Sequence, residues 1–349
     1  MKKTISILLL IGLLFLVSCG KVLPVEDKIA VGQKCIVYND FIYYVDAATA
    51  AIRYQIFENI QPNGIPLAGD ILAGNTDNPL AGVSLMTLLL VDEAATRAND
   101  DYPIIVISLK QTGEDFYKIL TFNTKNNSVS ILKEGLGPIE YLYLYGEYIL
   151  YTTNDGELGR NVHSLKKDGS VSYTLPNPEH QIYTVKNCYN DEIYIESSPS
   201  LYKASMTMEN LTLLFDNYDT PVFFFKDDLY YRELESGKLS RKPLSNLSQN
   251  EIIIDDFTVG ITRGNSYLYV KKLEDGSGID GNSIYLYNAS TDENRLIFQN
   301  TEPDVMYFYM DFSDQYVLFE CNYISGDKVG VKEFMVYNIE TQEKLYIPY

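Results

Sequence analysis

The stretch FTVGITRGNSYLYVKKLEDGSGIDGNSIYLYNASTDENRLIFQN, residues 257–300, decides the fold, because the chain then says it again. Its successor, residues 305–349, reads VMYFYMDFSDQYVLFECNYISGDKVGVKEFMVYNIETQEKLYIPY. The two align turn for turn. Gly264-Asn265 stands against Ser313-Asp314, SIYLYNASTDE against EFMVYNIETQE, and RLIF against KLYI. Each copy holds four short runs rich in Tyr, Val, Ile and Phe. Runs of this length and composition are strands, and the Gly, Asn, Asp and Ser pairs between them are turns.

The same frame fits upstream. Copies start at Ile139, Ile182 and Val222, and a first copy starts at Cys35. The least regular copy uses SLMTLLLV from Ser84, then PIIVISL, FYKILTFN and SVSIL. Alternation is visible within runs: Tyr141, Tyr143 and Tyr145 fall on one face, Leu142 and Leu144 on the other. Helical periodicity is weak and confined to Leu85–Ala98, where LLLV reads as a strand and DEAATRAND as a loop or one helical turn. The turns between first and second runs lie near residues 40, 101, 147, 191, 228, 265 and 314. Their mean spacing is about 46 residues, the period of four-stranded propeller blades.

Four-stranded units of this kind cannot bury both faces alone. Stacking them radially covers those faces. The expected fold is all-β: a β-propeller of about seven four-stranded blades, with six or eight left open by the irregular second copy. A solenoid has shorter repeats, and a sandwich does not explain the shared turn register.

The N-terminus carries a different signal. MKKTISILLLIGLLFLVSCG has a charged start at Lys2 and Lys3 and an apolar run from Ile5 to Ser18. The run is shorter than the roughly 20 residues of a membrane span, so it reads as a signal peptide. Leu16-Val17-Ser18-Cys19 resembles a bacterial lipobox. That resemblance implies cleavage before Cys19 and lipidation of its Sγ. The expected organisation is a signal peptide at 1–18, a lipidated Cys19 with a short tether at 19–30, and one propeller domain at 31–349. It implies a bacterial cell-envelope protein, extracytoplasmic and membrane-anchored, with Gly20 fitting outer-membrane sorting in a Gram-negative host.

Charge excludes a class of partner. The formal charge is −19, and it becomes −21 without residues 1–18, which hold Lys2 and Lys3 and no acid. No basic patch offsets this, so nucleic acid is not an expected partner. After Cys19 there remain Cys35, Cys188 and Cys321, each in an apolar run. Buried thiols are the expected state, with a Cys35–Cys321 bridge open if the first and last repeats touch.

Lipobox and Tyr-rich repeats of the form YNDFIYY or KDDLYY together resemble bacterial propeller lipoproteins related to TolB-type and YWTD propellers. The YWTD signature itself is absent, since the chain has no Trp. The resemblance implies the fold and names no partner.

Propeller geometry places loops joining second to third strands, and blade to blade, on one rim. Here that rim holds the longest polar loops, around Asn154–Asn161, Glu274–Asn282 and Tyr323–Val329, with Gly74–Gly82 and the loop at His180. Loops on a rigid scaffold carry binding. The candidate binding residues are Asp155, Glu157, Asn161, His180, Asp275, Asp280, Asn282 and Asp327. Within EDGSGIDGNS, the oxygens of Asp275, Ser277, Asp280 and Asn282 suit Ca²⁺. That loop lacks the DxDxDG register and a terminal Glu, so a plain hairpin loop competes. No other cofactor is implied.

Catalytic signatures are missing. GxSxG, HExxH and the P-loop are absent, and no catalytic residue is assigned. His163 sits in a strand-like run, which suggests a structural role. The expected function is a binding or scaffolding propeller contacting a protein or glycan partner through one loop-rich rim. The alternative is a carbohydrate-active enzyme, a glycosidase or lyase, with carboxylates at the channel mouth. A third reading is a sensor holding a small molecule in the channel.

Overall fold

In the computed structural model, the described residues are 30–38, 41–46, 51–56, 65–66, 80, 82–84, 86–154, 156–216, 218–273, 280–313, 315–326, 328–330 and 332–348. Cys19, Asp155, Asp275, Ser277 and Asp327 fall outside them. The repeat is structural: seven four-stranded antiparallel sheets follow one another along the chain. The blades occupy 35–66, 88–136, 139–174, 184–215, 218–254, 258–299 and 305–348. In each, strands pair in sequence order, so every blade is an up-and-down meander.

Blades pack because their middle strands are apolar on both faces. In Ser266–Lys271 of blade 6, Tyr267 and Tyr269 face blade 5, against Phe223 and Tyr230. Leu268 and Val270 face blade 7, against Val305 and Phe319. A strand buried on both sides reads as a continuous apolar run, which is what the sequence shows. Seven apolar clusters form among the described residues, each shared by two neighbouring blades. One of them joins Leu318, Phe334, Val336 and Ile347 of blade 7 to Cys35, Ile42 and Tyr44 of blade 1. The ring is closed by that seam.

The turns follow their residues. Asn190-Asp191 and Lys226-Asp227 have positive φ at both positions, the backbone of a type I′ hairpin turn. Blade 2 departs from this brevity. Residues 92–103 replace the two-residue turn, and Glu93–Ala98 forms a short helix capped by Asp92, whose carboxylate accepts from the Ala95 N–H at 3.0 Å.

Cys35, Cys188 and Cys321 are free, buried thiols. Cys35 faces blade 7 and Cys321 faces blade 6. The bridge left open by the sequence does not form, because the two thiols serve different seams. Burial pushes the Cys321 thiol up to about 12, with Glu333 and Glu302 adding to it, and burial also raises Cys35 and Cys188.

One element has no counterpart in the sequence reading. Ala30–Val31, assigned there to the tether and its boundary, is a strand on the inner edge of blade 3. It pairs antiparallel with Ile139–Tyr145.

Candidate functional site

The inner strand of each blade runs from what we call the upper rim to the lower rim. The upper rim carries the second-to-third and inter-blade loops. The lower rim carries the first-to-second and third-to-fourth turns.

On the upper rim, blades 3 and 4 share a knot of polar side chains. Arg160 opens the third strand of blade 3 and pairs with Glu140 of the inner strand. Glu140 also accepts from Asn154 at 2.6 Å. Arg160 reaches the Thr184 hydroxyl of blade 4 at 2.9 Å, and its guanidinium lies 5.3 Å from the Tyr141 ring centroid. The inter-blade loop is fixed beside it. Asn177 donates to Asn161 Oδ1 at 3.1 Å and to the Gln181 carbonyl at 2.9 Å. Gly159 (φ +84°) lets the backbones cross: a Cβ there would sit 2.6 Å from the carbonyl oxygens of His180 and Gln181.

Two of the sequence candidates therefore belong to one locked loop system. Asn161 is an acceptor within it, and His180 has φ +54° with its N–H on the Asn177 carbonyl at 3.3 Å. Glu157 is exposed on the adjoining 3-10 turn, Gly156–Leu158. Asp280 and Asn282 stand elsewhere, on blade 6. Asp280 Oδ1 accepts from the Asn282 N–H at 3.0 Å, and Asn282 Oδ1 accepts from Asn300 at 3.3 Å. One carboxylate oxygen of Asp280 and the amide oxygen of Asn282 are thus engaged in local bonds. No cluster of three or more His, Cys, Asp or Glu able to hold a metal occurs among the described residues. His163 bridges the hydroxyls of Thr153 (2.8 Å) and Thr174 (2.9 Å) and stacks on Tyr151. It is a structural histidine.

Glu233, ending the second strand of blade 5, accepts from Ser236 (2.6 Å), Ser240 (2.7 Å) and Asn250 (2.9 Å). Burial raises its pKa, but these bonds and the Lys238 charge outweigh it and hold the carboxyl below 4.5. A depressed acid stabilises the fold above its unfolded pKa, and that contribution disappears as pH falls through the folded value. The urea midpoint of wild type should therefore exceed that of Glu233→Gln at pH 7. The gap should close below pH 4.5, and a gap independent of pH would assign the effect to shape alone.

The lower rim holds a cleft of about 450 Å³ between blades 2 and 3. Ile104, Val106 and Ile149 form part of its lining, and Asp92, Glu147 and Lys167 lie there too. Asp92 and Lys167 pair at 2.8 Å with little exposure. Sequence reading missed this feature. Its signal was the interval between Val91 and Ile104, far longer than the equivalent turns.

Exposed apolar side chains are unequally shared between the rims. The upper rim carries Ile182 (62% exposed), Ile324 (54%) and Val329 (61%), with Met86, Leu234 and Leu273. Met306, Phe308 and Tyr141 add to it from the upper halves of inner strands. Among the described residues, the lower rim carries Tyr102 and Val171. The sequence reading expected a rim of Asp, Asn, Gly and Tyr, and single aliphatic residues in polar loops escaped it.

No family model and no curated protein matches the sequence. Solved structures do match the fold. A prolyl endopeptidase aligns with 92% of this chain at 11% identity and a TM-score of 0.57. This chain spans 50% of that protein's length. An oligogalacturonate lyase from Vibrio parahaemolyticus aligns with 90% of this chain and 85% of its own, at 12% identity and a TM-score of 0.49. An uncharacterized protein from Listeria monocytogenes aligns with 70% of this chain and 78% of its own, at 12% identity and a TM-score of 0.45. At such identity, what the endopeptidase likeness establishes is the seven-bladed propeller fold, and no activity crosses with it.

Proposed function

We propose that this chain is a lipid-anchored binding propeller of a bacterial cell envelope, whose upper rim holds a partner. The observation that carries the reading is the asymmetry between rims. Aliphatic side chains half or more exposed, beside a polar knot fixed by Arg160, are the mixed surface that partner sites use. Aliphatic rather than aromatic exposure on the loops favours a protein over a glycan. Lipidation at Cys19 would hold the domain at the membrane, the outer membrane in a Gram-negative host.

The test is capture from the native envelope by the full chain and by the double variant Ile324→Asp, Val329→Asp. Both residues are exposed, so thermal stability should be unchanged. Loss of a hydrophobic contact at a binding centre is worth about 1.4 kcal/mol or more, a tenfold loss in affinity. We expect one envelope protein to be retained by wild type and lost from the variant. Equal retention by both would remove the upper rim from the reading. Retention of sugars on a glycan array, lost in the variant, would change the partner class.

A further inference from the structure

The N-terminal residues of the described chain form a strap along the inner strands of blades 3, 2 and 1. Ala30 lies opposite Leu144 and Val31 opposite Tyr143. The Gly32 N–H donates to the Leu142 carbonyl at 2.6 Å. Gln33 and Leu89 then exchange both backbone hydrogen bonds, at 2.8 and 2.7 Å. Cys35 opens the inner strand of blade 1. Six residues thus touch the inner strands of blades 3, 2 and 1, using edges that would otherwise be unpaired. Gly32 is required by space: a Cβ there would lie 2.8 Å from Leu142 Cβ and 3.3 Å from Leu88 Cβ.

The pairing gives the strap a direction. The inner strand of blade 3 descends from Ile139 at the upper rim to Tyr145 at the lower. The strap is antiparallel to it, so Ala30 is toward the lower mouth and Gly32 is higher. Cys19 precedes Ala30 by eleven residues, a reach of about 36 Å when fully extended. A route from the lower mouth around the ring to the upper side is longer. It crosses three strand spacings outward, about 14 Å, and then rises the height of a seven-residue strand, about 23 Å. The radius of the channel and the side-chain layers come on top.

We infer that, with Ala30 at the lower mouth, an anchor at Cys19 turns the lower rim toward the lipid surface and the upper rim away from it. This rests on reading Cys19 as lipidated. The lower rim carries Asp100, Asp101, Asp168, Asp191, Asp227 and Asp292 in its turns, with Glu93 and Glu147, against Arg97, Lys125, Lys167 and Lys226, so the acids outnumber the bases. Such a face is held near a bilayer by a tether and does not adsorb to anionic headgroups. The polarity leaves the upper rim free for a partner.

The experiment uses lipidated full-length chain in phosphatidylcholine vesicles that carry a headgroup energy acceptor. Single cysteines for a donor dye replace Glu157 or Val329 on the upper rim, and Asn126 or Thr291 on the lower. Cys35, Cys188 and Cys321 are buried and stay unlabelled. Transfer from both lower sites should exceed that from both upper sites by roughly threefold or more, given the ~23 Å between rims. Equal or reversed transfer from chain that floats with the vesicles overturns the polarity and leaves the anchor standing. Flotation reports the anchor separately. Wild type that does not float, or Cys19→Ser that still does, removes the anchor and the polarity with it.

Discussion

Phe334→Ala is expected to cost about 3–5 kcal/mol, as removal of a buried aromatic from a packed core does. Phe334 is 1% exposed and sits in the seam between the last blade and the first. The four meander strands of every blade come from one contiguous stretch of chain, and the one added strand, Ala30–Val31, joins blade 3, so no exchanged strand locks blade 7 to blade 1 within a sheet. Closure depends on this apolar seam; the backbone strap ties blades 3, 2 and 1 to one another and does not cross it. Domains are stable by only about 5–15 kcal/mol in total, so the loss is a large share. Urea denaturation should show a markedly lower midpoint. Leu296→Ala, exposed on an outer strand, is the control and should stay within about 0.5 kcal/mol of wild type. Equal effects of the two would mean that the seam does not hold the ring.

Gly260→Val is expected to destabilise the fold by a different route. Gly260 lies mid-strand in Thr258–Arg263, the inner strand of blade 6, opposite Tyr269. A Cβ there would collide with the Leu268 carbonyl oxygen, and would stand 2.5 Å from Tyr267 Cε2 and 2.8 Å from Tyr269 Cβ. The obstacle is space rather than backbone conformation. Backbone atoms cannot yield as a flexible side chain does, so the ladder itself must move. It would drag the Tyr267–Thr258 hydrogen bond (3.0 Å) and the Arg232 bond to the Thr258 carbonyl (2.7 Å) with it. Overpacking of this kind costs about 1–3 kcal/mol and sometimes more. Folded yield and melting temperature measure it. A variant with wild-type melting would show that the two strands are not so closely apposed.

The fold was legible because burial on both faces leaves long apolar runs and short polar turns. Blades 6 and 7 showed this in full, and the register follows from the turns. Blade 2 was harder to read because its helix and the cleft beside it interrupt the repeat. The strap was illegible for a different reason. Ala30, Val31, Gly32 and Gln33 join neighbouring blades through backbone bonds, which no side-chain periodicity announces. Asn161 and His180 were singled out because loop length pointed to them. Arg160 and Glu140 meet only once two strands are in register, so nothing local marked the pair. Ile182, Ile324 and Val329 were passed over because isolated apolar residues in polar loops carry no pattern.

The most direct test is photocrosslinking in the native envelope, with a photoreactive residue at Ile182 or Val329 on the upper rim and at Asn126 or Thr291 on the lower. A propeller that works through its upper rim gives one common protein adduct from Ile182 and Val329, and none of that adduct from Asn126 or Thr291. The same adduct from the lower positions, with the upper ones silent, would contradict it.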